Sequence, residues 1–198
     1  DAGLLLDIDF NHLKSIVKTG SGPGEFEVPW DVAFTDDRIY ISDLYNHRIQ
    51  VFDYSLSHIQ NIGAWGKELG AFNYVYGMDI NNQYALFADT WNHGFQLWKF
   101  DGMSYIPRIA VKDPDLNQVL RPSRVNIIDG KVVVADYLNH CFKFFDRDAL
   151  ACDHRLGFLG VGPGDFQYPV GITKFENSFF CVDTRSGGIT KFKNNQAS

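Results

Sequence analysis

A single stretch of the chain recurs four times at a nearly fixed spacing, and this recurrence limits the possible folds more than any other feature of the sequence. Each copy carries an aspartate that closes a short apolar run, and the four aspartates lie 46, 47 and 47 residues apart. They are Asp43, Asp89, Asp136 and Asp183. Seventeen residues before each of them lies a large apolar residue: Phe26, Phe72, Val119 or Phe166. A match in phase over four copies indicates one structural unit used repeatedly.

Within each copy, short runs of β-branched and aromatic residues alternate with turn residues. In the first copy the runs are WDVAF, RIYIS, RIQVF and HIQNI. No long segment shows the apolar period of a helix. Four short strands every 46 or 47 residues are typical of a β-propeller blade, so we predict an all-β fold of four-stranded blades. The predicted repeats span about 20–62, 63–109, 110–157 and 158–193 of a single domain, 1–198.

Two motifs of the first copy carry a family resemblance. The link reads GSGPGEF from Gly20 to Phe26, the turn reads DLYNHR from Asp43 to Arg48, and together they resemble the NHL repeat. The second and third copies keep the turn as DTWNH and DYLNH, whereas the fourth departs from it with DTRSG. The resemblance covers about residues 3–193 and implies an NHL-type β-propeller. It implies no single activity, because propellers host unrelated functions.

The two ends of the chain bear on how the predicted ring closes. The fourth copy supplies three strands, roughly VGITKF, SFFCVD and GITKFK, and lacks an outermost one. The run HLKSIV, at 12–17, aligns with the outermost strand of the first copy. We therefore predict four blades closed by an N-terminal strand within residues 3–17, which removes two open sheet edges. Two alternatives remain: a segment of a six-bladed propeller, the number usual in the family, or a ring shared by two chains.

The residues that recur in every copy are predicted to be structural. An aspartate at a strand end can accept main-chain N–H bonds across the following turn, and a turn-former is needed four times where a catalytic residue is needed once. Three histidines also recur: His47, His93 and His140. They lie in turns outside the predicted channel, so they diverge and cannot converge to the roughly 2 Å bonds of a zinc site. We predict no catalytic residue, no metal and no cofactor.

One position differs in charge between the copies, two residues after the Pro or Val that begins each first strand. It holds Asp31, Gly77, Arg124 and Gly171. In a ring of four, the first and third blades face each other, so Asp31 and Arg124 would meet across the channel. They either pair with each other, because an unpaired buried charge is costly, or bind a ligand that carries both charges. Both are candidate ligand-binding residues at the mouth of the channel.

Aromatic residues collect at loop positions that share one face of the predicted ring. The first strands hold Trp30 and Tyr76 in two copies, and the turns on the same face add Tyr45, Trp91 and Tyr137. Aromatic residues clustered in loops are typical of recognition surfaces, although some can instead cover the joints between blades. We predict that these five residues belong to a ligand-binding face.

The function that the sequence favours is a non-catalytic module that binds a protein, a peptide or a glycan through this face. The first alternative is a propeller enzyme, either an amidating lyase or a metal-dependent hydrolase or lactonase, with a site in the channel. Lyases with similar repeats hold zinc through histidines in the first strands. Here those positions are Trp30, Tyr76, Ser123 and Val170, none of them a good zinc ligand. For the hydrolase, Asp31 is the single inner carboxylate.

The second alternative is RNA binding, as in some NHL proteins of the tripartite-motif group. The net charge of -6 disfavours a nucleic-acid partner, since that mode of binding needs a basic face. No apolar run approaches the roughly 20 residues of a membrane span, and three scattered cysteines disfavour a disulfide framework. The chain begins at Asp1 without a leader, so we expect a processed or excerpted chain, and the sequence leaves its compartment and oligomeric state open.

Overall fold

The computed structural model of the protein describes residues 2–6, 12–112 and 119–193. In these ranges the secondary structure consists of β-strands and three short 3-10 turns. The first two strands, β1 (Ala2–Leu6) and β2 (His12–Val17), pair as an antiparallel hairpin. The segment predicted as one closing strand, 3–17, thus contributes two strands, and its residues 7–11 lie outside the described ranges.

Four further antiparallel sheets follow, one for each predicted repeat, and we number them blades 1 to 4. Blade 1 contains β3 (Pro29–Phe34), β4 (Ile39–Asp43), β5 (Arg48–Phe52) and β6 (His58–Ile62). Blade 2 contains β7 (Val75–Ile80), β8 (Tyr84–Asp89), β9 (Gly94–Phe100) and β10 (Tyr105–Lys112). Blade 3 contains β11 (Pro122–Ile128), β12 (Lys131–Asp136), β13 (Cys141–Asp146) and β14 (Cys152–Leu156). Blade 4 contains β15 (Pro169–Phe175), β16 (Ser178–Asp183) and β17 (Gly188–Lys193).

In every blade the strands follow one another in chain order, so each first strand forms one edge of its sheet. This arrangement confirms the predicted all-β fold built from β-propeller blades. Blade 4 has three strands, while β2 is paired with β1. The addition of an N-terminal strand to blade 4 stays a prediction.

The chain divides into two compact units. Unit 1 comprises Asp1–Asp89 with Gln96–Ile109, and unit 2 comprises Thr90–Phe95 with Ala110–Ser198. Blade 1 lies in unit 1, and blades 3 and 4 lie in unit 2. The single domain assigned to 1–198 stays a prediction.

In blade 1 the middle strands and the first strand differ in burial, as expected for a sheet that is covered on both faces near its centre. Every residue of β4 and β5 is buried, whereas β3 alternates between half-buried and exposed residues. The runs IYISD and RIQVF are therefore buried along their whole length rather than at alternate residues, because both of their faces are packed.

The core of unit 1 is built from aromatic rings that join blade 1 to blade 2. Phe72 stacks on Trp98 with ring centroids 5.9 Å apart and meets Phe87 edge-on at 5.5 Å. Tyr40 of blade 1 meets Tyr105 of blade 2 at 5.9 Å. All five belong to one buried cluster. Full burial of one such side chain contributes about 1.5–3 kcal/mol, so this cluster is a main source of the stability of unit 1.

The core of unit 2 repeats the same design between blades 3 and 4. Phe166, at the position equivalent to Phe72, meets Phe142 edge-on at 5.1 Å and lies in a cluster with Ile172 and Cys181. The apolar residue seventeen positions before each aspartate is thus a core residue in every copy. Phe26, Phe72 and Phe166 are fully buried, and so is Val119.

Two links between blades have the same geometry, because in each a glycine packs against the buried phenylalanine ring that follows it. Gly63 has a φ of +80°, and a Cβ atom on it would lie 2.4 Å from the ring of Phe72. Gly157 repeats this with a φ of +87° and a distance of 2.3 Å to the ring of Phe166. Both the left-handed conformation and the close approach require glycine. Short parallel bridges then fix the links: Thr19 with Phe26, Trp65 with Phe72, and Leu159 with Phe166.

Within the described ranges, the structure contains no helix of the length and apolar character needed to cross a membrane.

Candidate ligand-binding face

Each repeated aspartate is buried at the end of the second strand of its blade and accepts a main-chain N–H from the segment that enters the blade. The donor lies sixteen residues upstream in every copy. The pairs are Glu27 and Asp43, Asn73 and Asp89, Leu120 and Asp136, and Gln167 and Asp183. The predicted structural role of the aspartates is confirmed. The N–H group that all four accept, however, comes from the segment before the first strand and not from the turn that follows the aspartate. Asp183 also accepts N–H groups from its own turn, as predicted.

Side chains of the third strand and of the turn complete the environment of these carboxylates. Asp43 accepts from Arg48 Nε at 2.9 Å and from Gln50 Nε2 at 3.0 Å. Asp136 pairs with the buried Nζ of Lys143 at 2.8 Å. These contacts hold the second strand, the turn and the blade entry as one rigid unit, which is the frame for the turn residues that follow.

In blades 1, 2 and 3 the turn after the aspartate places its histidine in a left-handed conformation. His47, His93 and His140 have φ values of 53°, 55° and 56°. Nδ1 of His47 accepts the main-chain N–H of Tyr74 in the next blade at 3.1 Å. Burial lowers the pKa of His47 below its ordinary value, which keeps this nitrogen available as an acceptor. His140 instead contacts the carbonyl oxygen of Gln167 through Nδ1, so both histidines join neighbouring blades.

Two of the predicted aromatic turn residues rest on a residue that enters the next blade. Tyr45 meets Tyr74 edge-on with centroids 5.5 Å apart, and it stays 51% exposed. Trp91 carries the guanidinium of Arg121 over its ring at 3.8 Å and stays 43% exposed. In each case one side of the ring is packed and the remainder faces solvent, so the ring is held in position without being part of the core.

The third turn, in unit 2, uses a stack of three groups. Tyr137 lies against Tyr168 with centroids 4.6 Å apart, and the guanidinium of Arg185 lies 5.5 Å from the centre of the Tyr168 ring. Tyr137 is half-buried. Its exposed surface is therefore smaller than that of Tyr45 or Trp91.

The first strands of unit 1 place Trp30 and Tyr76 side by side. Their ring centroids are 4.8 Å apart, and Trp30 is 55% exposed. The predicted neighbours from two successive blades therefore form one aromatic pair. This pair and the turn residue Tyr45 are the aromatic members of the predicted face that belong to unit 1.

Asp31 serves as a main-chain acceptor that joins two blades. Its carboxylate accepts the N–H of Val32 at 3.0 Å and the N–H of Met78, in blade 2, at 2.8 Å. Its own N–H donates to Ser42 Oγ at 2.9 Å. The predicted pairing of Asp31 with Arg124 stays a prediction, since the two residues belong to different units.

Arg124 begins the regular pairing of the first strand of blade 3, opposite Ala135. The neighbouring Ser123 donates its hydroxyl to the carbonyl of Pro169 in blade 4 at 2.9 Å. Gly171, which follows in blade 4, has open space at the position of a Cβ atom, with no heavy atom within 4 Å.

The predicted face thus falls into two groups. Unit 1 contains Trp30, Asp31, Tyr45 and Tyr76, and unit 2 contains Trp91, Arg124 and Tyr137. Their part in ligand binding stays a prediction.

Four residues of this face were not predicted from the sequence: Tyr74, Arg121, Tyr168 and Arg185. Tyr74, Arg121 and Tyr168 occupy one repeat position, fifteen residues before the aspartate of their blade. The signal was that this position carries a planar group in three copies. It was missed because the position lies outside the strands and its contact is with the preceding blade.

Two of the three cysteines, Cys141 and Cys181, are buried. Burial raises the pKa of Cys141 to about 11 and that of Cys181 to about 12, so both are protonated at neutral pH. All three cysteines are free in the structure. In the part of the chain that the structure describes, no group of three or more His, Cys, Asp or Glu residues is placed to hold a metal ion.

The first repeat matches a known family. The model of the NHL repeat matches residues 26–52, from the buried Phe26 to the end of β5. This segment contains the DLYNHR turn, so the resemblance of the first copy to the NHL repeat is confirmed. A comparison with curated proteins finds no match to this chain.

Solved structures share the fold at low sequence identity. U3-55K is similar over 98% of this chain, with a TM-score of 0.72 and 11% sequence identity. A Bacteroides fragilis protein described as a putative exported protein is similar over 97% of this chain, with a TM-score of 0.61 and 14% sequence identity. The computationally designed Ika4 protein is similar over 82% of this chain and 88% of its own length, with a TM-score of 0.53 and 10% identity. The chain spans about half of the first two structures, 55% and 54% of their lengths. These likenesses show the fold alone.

Proposed function

We propose that the protein is a non-catalytic interaction module that binds a protein, a peptide or a glycan through the aromatic residues of its turns. The observation that carries this proposal is the environment of Tyr45 and Trp91. Each ring is about half exposed, and each packs against a residue that enters the next blade.

A ring that is fixed before binding loses little conformational entropy when it meets a ligand. Tyr and Trp side chains offer large contact area with few rotatable bonds, and a fixed ring keeps most of that contact energy as affinity. Tyr45 and Trp91 satisfy both conditions. The ring of Tyr74 lies 5.5 Å from that of Tyr45, and the guanidinium of Arg121 lies 3.8 Å from the centre of the Trp91 ring. An exposed face of this kind fits the flat side of a peptide group, an aromatic side chain or a sugar ring.

Trp30, Tyr76, Asp31 and Arg124 extend this proposal to the first strands. The Trp30–Tyr76 pair adds a second half-exposed aromatic surface in unit 1. Asp31 and Arg124 add charge of opposite sign. The enzyme and RNA-binding alternatives stay predictions, and no contact among the described residues favours either of them.

The test uses Tyr45→Ala and Trp91→Ala, with Tyr54→Ala as the matched control. Tyr54 is a tyrosine of the same blade, 46% exposed, and it lies in the turn at the opposite end of the strands. The probes are a displayed library of random peptides and a glycan array, and ligands selected with the unchanged protein are then measured against each variant.

We expect Tyr45→Ala or Trp91→Ala to weaken the selected ligands about tenfold or more, as for truncated aromatic hot spots. Tyr54→Ala should leave their affinity unchanged, and circular dichroism should show that all three variants are folded. Ligands that tolerate both turn variants but are lost with Tyr54→Ala would contradict the proposal.

A further inference from the structure

In blade 4 the third strand, β17, forms the edge of the sheet. Blades 1, 2 and 3 each cover the third strand with a fourth, whereas β17 pairs with β16 alone among the described strands. The strand predicted for this place, β2, is paired with β1. Every residue of β17 is exposed or half-buried, while the equivalent strand of blade 1, β5, is buried throughout. Because an edge strand presents main-chain groups that a further strand can pair with, β17 is a place for strand addition.

A cavity of about 430 Å³ lies beside β17, between blades 3 and 4. This volume is in the lower part of the range of ~300–1,000 Å³ that is usual for ligand pockets. Its apolar lining continues the core that joins the two blades. Phe144 belongs to the buried cluster of unit 2, and four other lining residues pack against that cluster. They are Ile128, Leu156, Phe179 and Phe192. The cavity is therefore the open continuation of an existing contact between blades.

Two ion pairs lie at this cavity. The ammonium group of Lys131 pairs with Asp153, and the carboxylate of Asp129 pairs with Lys174. Three of these four residues, the first two and Asp129, line the cavity. Since their charges are already neutralised, the lining favours a neutral apolar group with a polar tip over a charged ligand.

Blades 1 and 2 enclose the equivalent space in unit 1, and there it is filled. Counted from the repeated aspartates, three lining residues of the cavity have equivalents in unit 1. The pairs are Phe144 and Val51, Phe179 and Ala85, and Phe192 and Trp98. The three residues of unit 1 share one buried cluster with Tyr105, the first residue of β10. The side chain that completes this cluster thus comes from a fourth strand.

Tyr105 shows which group fits such a space. Its ring meets Phe100 with centroids 5.2 Å apart and Tyr40 of blade 1 at 5.9 Å, and it is 9% exposed. Its hydroxyl donates to the carbonyl oxygen of Asn81. Burial raises the pKa of Tyr105 above its ordinary value, so the hydroxyl stays a donor at neutral pH. A fourth strand therefore supplies main-chain pairing together with an aromatic anchor.

We propose that blade 4 binds an extended peptide of a partner protein, which pairs with β17 as a fourth strand and places a tyrosine side chain in the cavity between blades 3 and 4. In this mode of recognition the main-chain hydrogen bonds give affinity and the pocket gives specificity. The inference goes beyond the proposed function, because it uses none of the turn residues and stands whether or not Tyr45 and Trp91 bind a ligand.

The chain itself supplies the probe. A synthetic peptide SYIPRIAVK copies residues 104–112 of blade 2, and a control peptide has Ala in place of its Tyr. Each is titrated into the full chain labelled with nitrogen-15. We expect the tyrosine peptide to shift the amide signals of Gly188–Lys193 saturably, and the alanine peptide to bind about tenfold or more weakly, as for a truncated aromatic anchor. Equal affinities would overturn the proposal.

Two N-methylated forms of the tyrosine peptide test the strand pairing. A paired strand directs alternate N–H groups towards its neighbour. Methylation of one alternate set should therefore abolish binding, whereas methylation of the other set should preserve it. Equal losses from both sets would overturn strand addition. So would an equal affinity for p-cresol, which carries the tyrosine side chain without a main chain.

Phe192→Ala removes one wall of the cavity, and Phe158→Ala is the matched control. Phe158 is a phenylalanine of the same unit, 64% exposed, that does not line the cavity. We expect Phe192→Ala to weaken the tyrosine peptide about tenfold and Phe158→Ala to leave it unchanged. A folded Phe192→Ala variant that binds as well as the unchanged protein would overturn the proposal. If circular dichroism shows that Phe192→Ala is unfolded, the peptide pairs decide the question in the unchanged protein.

Tyr45→Ala and Trp91→Ala separate this inference from the proposed function. Both should bind the tyrosine peptide normally, and loss of its binding in either would place it on the turns and overturn the inference. Spectra of the free chain test two other occupants of the edge. Main-chain contacts between β17 and β2 would identify the N-terminal strand, and β17 signals that shift with protein concentration would identify a second copy. Either result would overturn the proposal.

Discussion

Blades 1 and 4 share a link and an aspartate but stabilise that aspartate by different means. The links read GSGPGEF and GVGPGDF, and Asp43 and Asp183 end the second strands. In blade 1 the carboxylate meets the guanidinium of Arg48 at 2.9 Å. Arg48 also donates to three carbonyl oxygens of the link, those of Ser21, Gly22 and Glu25.

Blade 4 has no equivalent of this cation, since Gly188 and Thr190 stand where blade 1 has Arg48 and Gln50. Asp183 accepts four main-chain N–H groups instead: those of Gln167, Tyr168, Arg185 and Ser186. The difference teaches that one backbone geometry can be held either by a buried ion pair or by main-chain dipoles. Removal of the aspartate therefore leaves a buried guanidinium unsatisfied in blade 1 and main-chain N–H groups unsatisfied in blade 4.

Asp43→Asn is expected to have the largest effect. It leaves the buried guanidinium of Arg48, 8% exposed, without its counter-ion, and removal of one partner of a buried pair costs about 3–5 kcal/mol. Asp183→Asn loses acceptors for main-chain N–H groups but strands no charge, and should cost about 1–3 kcal/mol. Urea unfolding of both variants measures the free energies. Equal losses would remove the distinction between the blades.

Acid should act on blade 4 through the same carboxylate. Burial raises the pKa of Asp183, but the four N–H bonds outweigh it and hold this pKa below the ordinary value of 3.8. A depressed pKa means that the contribution to stability is present above pH 3.8 and is lost as the pH falls through the folded value. The difference in unfolding free energy between Asp183→Asn and the unchanged protein should therefore shrink below that pH. A difference that stays constant down to pH 2 would contradict this.

The left-handed turn position separates the blades by a smaller amount. Blade 4 places Gly187 there with a φ of +67°, and blade 1 places His47 there with a φ of 53°. A Cβ atom on Gly187 meets nothing within 4 Å, so Gly187→Ala should cost only the left-handed strain, about 1–2 kcal/mol. Gly187→Asn should cost much less, since Asn tolerates this conformation. Thermal unfolding of the two variants measures the difference, and equal losses would point to a steric cause.

The smallest expected effect comes from the protonation of His47. Its Nδ1 accepts the N–H of Tyr74, and burial lowers its pKa below 6.5. The bond contributes stability above pH 6.5 and is lost as the pH falls through the folded pKa, at a cost of about 1 kcal/mol. The Tyr74 amide signal should shift in step with this loss, and His47→Gln should remove the shift. A Tyr74 amide signal that does not change when His47 is protonated would contradict the hydrogen bond between these residues.

The repeat made most of the fold predictable from the sequence. The period placed the four copies, and the apolar residue before each aspartate proved to be buried in all of them. The N-terminal segment was less predictable. It was expected to form one closing strand, but Ala2–Leu6 pairs with His12–Val17. The pairing has the same register as that of β5 with β6 in blade 1, so the repeat contained the signal, which was missed because AGLLL does not resemble RIQVF in sequence.

The candidate site was predictable in its composition but not in its contacts. Tyr45 and Trp91 were found from the turn motif, yet their packing partners Tyr74 and Arg121 were not. Those partners lie about thirty residues further along the chain, and a sequence pattern within one copy cannot show a contact with the next. For the same reason, the bond between the carboxylate of Asp31 and the N–H of Met78 in the next blade could not be predicted from the sequence.

The spacing of the bridged links has a consequence for protein engineering. Thr19, Trp65 and Leu159 each stand seven residues before the apolar residue of the next blade, and seventeen more residues lead to the aspartate. Variation in the length of a copy is instead absorbed between the third and fourth strands, as in the segment 101–104, where Met103 is 92% exposed. Grafted peptides of different lengths should be accepted at that turn, while a single inserted residue in a link would shift the register of the whole following blade.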